Sequence, residues 1–300
     1  MFTPAVSGFN VTGFAHESTS SYLADGTPVY APLDIDGDSK RDLFISGYYG
    51  SGTYANQGDA KACLNTTPAI PGAVISFACT ADGIGLEGGL GNDFAKSQSN
   101  SVFLFADLDN DGKVDEVNTH SSGNNQLRVM KNTSTPGSVS FAAPAVFTPA
   151  NPFSSAHKIY AVDFDGDGLK DLLLGNPANI LINTSSGGTL SFVNFNYNNN
   201  PLSPGLTQNC GASTLTLTCT GSHFTIADLN GDSKMDIILT WCGGVGRNCA
   251  FINNTIGGVL GFVYNNGNVG DSNGPMIGPT SGAVPAVADF NKDGKPDIVI

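Results

Sequence analysis

Short aliphatic runs, separated by long stretches rich in Gly, Asn, Ser and Thr, set the pattern of this chain. Leu43-Phe-Ile45, Leu172-Leu-Leu174, Ile237-Ile-Leu239 and Ile298-Val-Ile300 are four of them, and Glu116-Val-Asn118 occupies the same place in a fifth copy. Runs of three or four, bounded by Gly or Asn and too short for helices, predict buried β-strands. A second set lies just upstream: Val102 to Phe105, Ile159 to Val162, Phe224 to Ile226 and Val284 to Val287. A third and a fourth set follow, the third ending in Asn. They are Ala62 to Asn65 with Val74 to Phe77, Leu127 to Asn132 with Val139 to Phe141, Asn179 to Asn183 with Leu190 to Asn194, and Ala250 to Asn253 with Val259 to Phe262. Four strands joined by short turns predict one antiparallel unit, repeated.

The first two strands of each unit are joined by a nine-residue acidic loop. Its copies start at Asp34, Asp107, Asp163, Asp228 and Asp289, so the unit recurs every 56 to 73 residues. Oxygen-bearing side chains stand at loop positions 1, 3, 5 and 9: Asp34, Asp36, Asp38 and Asp42; Asp107, Asp109, Asp111 and Asp115; Asp163, Asp165, Asp167 and Asp171; Asp228, Asn230, Asp232 and Asp236; Asp289, Asn291, Asp293 and Asp297. A hard cation with many oxygen ligands suits such a set. Ca²⁺ fits better than Mg²⁺, which keeps its waters. An EF-hand would need Glu at position 12, where this chain has Ile45, Asn118, Leu174, Leu239 and Ile300. The loop is therefore a hairpin connection and not a helix–loop–helix site.

Position 6 of so tight a loop calls for a left-handed backbone, which Gly112, Gly168 and Gly294 adopt without strain. Ser39 and Ser233 would cost about 1 kcal/mol there, so the first and fourth sites are expected to be weaker than the second and third. Asn230 and Asn291 each remove a charge and should weaken their sites further.

Charge then changes meaning. The net charge is −13, but the loops hold 18 of the 26 acidic residues. Five divalent cations would neutralise most of it. The 13 Lys and Arg form no basic cluster, which argues against nucleic-acid binding. Six cysteines fall in close pairs, Cys63 with Cys79, Cys210 with Cys219 and Cys242 with Cys249. None has a CxxC spacing, so three local disulfides and an oxidising, extracytoplasmic compartment are expected. No apolar run reaches membrane-spanning length, and the start Met1-Phe-Thr-Pro4 has no signal region. For a secreted or cell-surface protein, that implies a mature or trimmed chain.

A strand-only period near 60 points to a β-propeller or solenoid. The Asp-x-Asp-x-Asp-Gly-x-x-Asp loop before an aliphatic strand, with the Asn-Thr-Ser turn before Ser-Phe, resembles the FG-GAP/VCBS repeats of integrin-α-like propellers. That resemblance spans about residues 28 to 300. It implies an all-β fold, a single propeller over 1–300 with four-stranded blades at about 28–80, 101–148, 157–196 and 222–264 and a partial blade at 283–300. Propellers of this family usually have seven blades, so either a longer parent chain, with possible neighbouring domains, is expected, or the N-terminal segment closes a five-bladed ring. The resemblance also implies Ca²⁺ held by the side chains above and by the position-7 carbonyls of Lys40, Lys113, Leu169, Lys234 and Lys295.

Strand alternation puts the acidic loops and the Asn-Thr turns at one end of each blade. Tyr48, Tyr49, His120, Asn176 and Trp241 then fall at the other, where they could stack on and hydrogen-bond a glycan or an extracellular protein, or simply cap loops. A Ca²⁺-stabilised binding module, with adhesion as its role, is the expected function. The alternative is the propeller of a polysaccharide-degrading lyase or hydrolase, with Tyr48 or Tyr49 and His120 as base and acid. No His, including His16, His157 and His223, stands in a nucleophile motif. Sequons at Asn10, Asn65, Asn132, Asn183 and Asn253 would be glycosylated only in a eukaryotic host, and Asn-Thr also favours a turn by its own chemistry.

Overall fold

The computed structural model describes residues 32–48, 58–79, 103–120, 126–149, 159–174, 179–195, 223–242, 247–265 and 286–299. All regular structure among them is β. Four sheets have four antiparallel strands in sequence order, which is the construction of propeller blades. The first comprises β1 (Pro32–Leu33), β2 (Asp42–Tyr48), β3 (Gly58–Asn65) and β4 (Phe77–Cys79). The second comprises β5 (Phe103–Ala106), β6 (Asp115–His120), β7 (Gln126–Met130) and β8 (Ala145–Phe147). The third comprises β9 (Ile159–Val162), β10 (Asp171–Leu174), β11 (Asn179–Asn183) and β12 (Phe192–Asn194). The fourth comprises β13 (His223–Ala227), β14 (Asp236–Cys242), β15 (Arg247–Asn253) and β16 (Phe262–Asn265). A two-stranded sheet follows, β17 (Ala286–Ala288) with β18 (Asp297–Val299).

The chain divides into two compact units, Met1–Thr148 with Ser186–Leu190, and Pro149–Ser185 with Ser191–Ile300. Each unit buries residues from two consecutive blades against one another. In the first, Phe44 and Ala62 of one blade meet Met130 and Phe105 of the next, and the rings of Phe44 and Phe105 lie 4.6 Å apart edge to face. In the second, Leu173 and Ile180 meet Ile237, Phe251 and Phe262. The second residue of the acidic loop is apolar in every copy, and in the first and third loops this packing explains why. Ile35 and Phe164 are core residues, and the Phe164 ring sits 5.8 Å from that of Phe262 on the following blade.

Strand four starts later than the apolar pattern predicts. The tract Val139 to Phe141 touches its partner strand only through the isolated bridge Asn132↔Phe141, and pairing resumes at Ala145. Likewise β4 starts at Phe77, β12 at Phe192 and β16 at Phe262. The reason is that the residues after the hairpin tip bond to the Asn-Thr turn first. Thr184 N donates to Ser191 O, and Ser191 N to the Ser185 hydroxyl. Val74 and Val259, apolar but assigned to this turn, are more than half exposed.

Candidate metal centre

Each acidic loop is folded by its own carboxylates. The position-1 aspartate accepts the position-6 N–H in all five copies, at 2.8 to 3.0 Å, from Ser39, Gly112, Gly168, Ser233 and Gly294. The position-5 aspartate accepts the position-7 N–H in all five, at 2.7 to 3.0 Å. Aiming the position-6 N–H inward requires a left-handed residue, and Ser39 (φ 68°) and Ser233 (φ 67°) adopt it alongside the glycines. Position 4 is left-handed as well, in Gly37, Asn110, Gly166, Gly231 and Lys292. Sequence reasoning passed over that position, although Gly or Asn at four of its five copies was a usable signal.

Position 9 carries the deepest carboxylate. Asp42, Asp115, Asp171 and Asp236 are almost wholly buried. Each spans the blade: one oxygen accepts the position-2 N–H and the other accepts the N–H of the asparagine that ends strand three or, for Asn132, lies two residues past it. For Asp171 the donors are Phe164 N at 2.9 Å and Asn183 N at 2.8 Å. For Asp236 they are Leu229 N at 2.7 Å and Asn253 N at 2.8 Å. Desolvation outweighs these bonds. It pushes the Asp115 carboxyl up to about 6 and that of Asp171 to about 7, and raises Asp42 and Asp236 in the same direction.

The asparagine that ends strand three holds the next piece. Its carbonyl oxygen accepts the N–H two residues on, from Thr67, Ser134, Ser185 and Thr255 in turn. Its amide nitrogen donates to the position-8 carbonyl, as Asn132 does to Val114 O and Asn183 to Lys170 O. Two of these asparagines also reach the preceding blade. Asn132 Nδ2 donates to Ile35 O at 2.8 Å, and Asn253 Nδ2 to Phe164 O at 2.9 Å. Gly137 N, in the hairpin beyond Asn132, donates to Asp36 Oδ2 at 2.7 Å. Each such loop is thus set by the blade that follows it.

Positions 1, 3 and 9 converge. One carboxylate oxygen from each of Asp34, Asp36 and Asp42 lies within 4.8 Å of the others, and the same holds for Asp107, Asp109 and Asp115 and for Asp163, Asp165 and Asp171. The position-5 carboxylates, turned to their own position-7 residues, are not part of these trios; Asp38 also pairs with the Lys40 ammonium at 3.0 Å. Three negative oxygens gathered round one point, at least one of them deeply buried, fit a hard cation. In the second loop Asp109 Oδ1 is buried without a hydrogen-bond partner, an acceptor left over for such an ion. The fourth and fifth loops have Asn230 and Asn291 at position 3. Asn230 Oδ1 accepts Asp232 N at 3.0 Å, and the Asn291 amide nitrogen faces Asp293.

Residues 107–174, within this run of loops and strands, match the family model described as the FG-GAP-like repeat. The match runs from the first aspartate of the second loop to the end of β10, so it takes in two acidic loops and the hairpin between them. No curated protein matches the chain.

The far ends of strand two in these repeats are less fully described. Tyr48, His120 and Trp241 stand at or next to the ends of β2, β6 and β14, whose first residues are the position-9 aspartates. They therefore lie at the opposite end of their sheets from the acidic loops. The β14–β15 pairing shifts register between Leu239 and Cys242, a bulge beside Trp241. Tyr49 and Asn176 lie outside the described residues, as do Asn10, His16, His157, Cys210 and Cys219. Cys63 and Cys79 form a disulfide across the β3–β4 pair. Cys242 and Cys249 are placed on β14 and β15 by backbone alone. Among the described residues no helix is long and apolar enough to cross a membrane.

Two charged residues near the second loop escaped the sequence pattern. Lys131 reaches Asp109 and Asp111. Glu116 takes the place of Leu43, Leu172 and Ile237 in other blades. It is fully buried beside its cross-strand neighbours Phe105 and Met130, and burial pushes its carboxyl up to about 8.

Proposed function

We propose that the acidic loops bind Ca²⁺ as a folding ligand and that the blades form an extracytoplasmic binding module for a carbohydrate or a protein. The observation that carries the first half is the convergence of three carboxylates at positions 1, 3 and 9 in each of three loops. Calcium supplies the positive charge that the buried position-9 carboxylates otherwise lack. The residues of the chain do the rest: the position-1 and position-5 aspartates shape the loop, and the strand-three asparagine ties it to the hairpin. In this reading the loops that carry Asn230 and Asn291 bind more weakly, having lost a charge. A site constant near ~10 µM in ~1 mM Ca²⁺ would stabilise the protein by about 2.7 kcal/mol per site.

The FG-GAP-like repeat, the Cys63–Cys79 disulfide and the scarcity of basic residues support the second half. Recognition is assigned to the strand ends opposite the loops, with Tyr48, Tyr49, His120, Asn176 and Trp241 as candidate contacts, because a ligand there leaves the metal end to stability. The test joins a glycan array to a melting curve. Tyr48→Ala and Trp241→Ala should abolish binding of the ligand found on the array and leave the Ca²⁺-dependent melting temperature unchanged. Binding that survives both substitutions and disappears when the Asn-Thr turns are altered would place recognition at the wrong end. A melting curve indifferent to EDTA would remove the calcium. An unsaturated or newly reducing product from a polysaccharide in the same assay would replace the binding module with an enzyme.

A further inference from the structure

Among the described residues, the second loop differs from the others in having an ammonium on its position-3 carboxylate. Lys131 immediately precedes Asn132, and the equivalent residues of the other blades are Leu64, Ile182 and Ile252. Its ammonium pairs with Asp109 Oδ2 and lies 3.1 Å from Asp111 Oδ2. Asp109 is the position-3 member of the carboxylate trio, and only 2% of its side chain is exposed. Among the ion pairs of the described residues, no other ammonium reaches position 3. Lys40 and Lys234 pair with the outer position-5 carboxylates, and Lys113 turns away to donate to Ser134 O at 2.7 Å.

Lys131 is also held where it is. Its neighbour Asn132 is pinned through N–H to Asp115 and through Nδ2 to Ile35 O and Val114 O. On the outer side stands Gly188, where a Cβ would come within 3.5 Å of the ammonium. Asp109 is thus divided: Oδ2 is taken by Lys131, and Oδ1 is buried and without a hydrogen-bond partner.

We infer that Lys131 is a built-in competitor for the divalent cation of the second loop, and that this loop is the weakest of the three whose positions 1, 3 and 9 are all aspartate. The inference rests on the calcium reading above. A unit positive charge on the buried Asp109 carboxylate opposes a divalent ion there, so a cation enters only as the lysine swings off Asp109. The sequence pattern alone ranks the second loop with the third. Lys131 instead puts it below both the third and the first.

The test uses the full chain and Ca²⁺ alone. Isothermal titration, backed by Tb³⁺ luminescence, compares the unaltered protein with Lys131→Met and Lys131→Arg. Lys131→Met should tighten one site by at least about tenfold, and Lys131→Arg should leave every constant as it was. Asp109→Asn in the Lys131→Met background should abolish the tightened site, which assigns it to this loop. After reductive ¹³C-methylation, the Lys131 signal, identified by its absence from Lys131→Met, should move as Ca²⁺ saturates the protein. Identical stepwise constants in the Lys131→Met and unaltered proteins, with calcium bound in both, would overturn the role of the lysine alone. Failure of either protein to take up Ca²⁺ would overturn the calcium reading and this inference with it.

Discussion

Raising the pH in the presence of a chelator should destabilise this protein, against the usual trend for acidic side chains. The causes are the position-9 carboxyls and, in the first unit, the buried Glu116 carboxyl, pushed up to about 8 and acting in the same direction. Burial raises Asp171 from 3.8 to about 7 and Asp115 from 3.8 to about 6. A group whose folded-state value is raised contributes stability that is fully present below its unfolded value. That stability is lost as pH climbs through the folded value. At 1.36 kcal/mol per unit, the metal-free fold should lose about 4 kcal/mol through Asp171 and about 3 kcal/mol through Asp115 between pH 4 and pH 8. The two residues belong to different compact units, so each unit should feel its own loss. At about 2–4 °C per kcal/mol, melting in EDTA should drop by about 6–12 °C in the unit of Asp115 and about 8–16 °C in that of Asp171 across that range. In 1 mM Ca²⁺ the trend should vanish or reverse, because the ion favours the ionised carboxylates. Differential scanning calorimetry at pH 4.5, 6 and 8, with and without Ca²⁺, measures this directly. Asp38 and Asp111, held below the ordinary range, act oppositely but only as pH falls towards their own low values. An EDTA melting temperature that is level, or that rises from pH 5 to pH 8, would refute the claim that burial governs position 9.

Four further outcomes follow from individual residues. Lys292→Gly and Ser233→Gly relieve left-handed backbone at φ 64° and φ 67°, so each should stabilise by about 1 kcal/mol in a denaturant titration, whereas Gly168→Ala should cost about as much. Asn253→Ala removes the buried bonds to Phe164 O and Thr255 N and should cost about 2–4 kcal/mol. Because the Asn132, Asn183 and Asn253 amides are buried and committed to carbonyls, mass spectrometry of protein folded in a eukaryotic secretory pathway should find no glycan on them. Cys79→Ser should cost about 3 kcal/mol through the 16-residue separation it unlinks, and an unchanged unfolding midpoint under non-reducing conditions would show that the bridge does not stabilise.

Much of this protein is written in local sequence. The apolar triplets fix strand two, and the nine-residue spacing fixes the loop. Ser39 and Ser233 could be assigned a left-handed backbone from the glycines at the matching places. These features depend on residues within a few positions of each other, where steric rules and hydrogen-bond reach act directly. Tertiary structure decided what depended on a neighbouring strand or blade. The start of strand four was misread because Val139 and Val259 look like strand residues, yet the Asn-Thr turn takes up the adjoining backbone bonds first. Asn132 and Asn253 looked like turn residues or glycan acceptors. Their reach to Ile35 O and Phe164 O spans 97 and 89 residues, which no local pattern encodes. Glu116 and Lys131 were invisible for the same reason. A carboxylate between Phe105 and Met130, or an ammonium on Asp109, takes its chemistry from groups that only the packing of sheet and hairpin brings within a few ångströms.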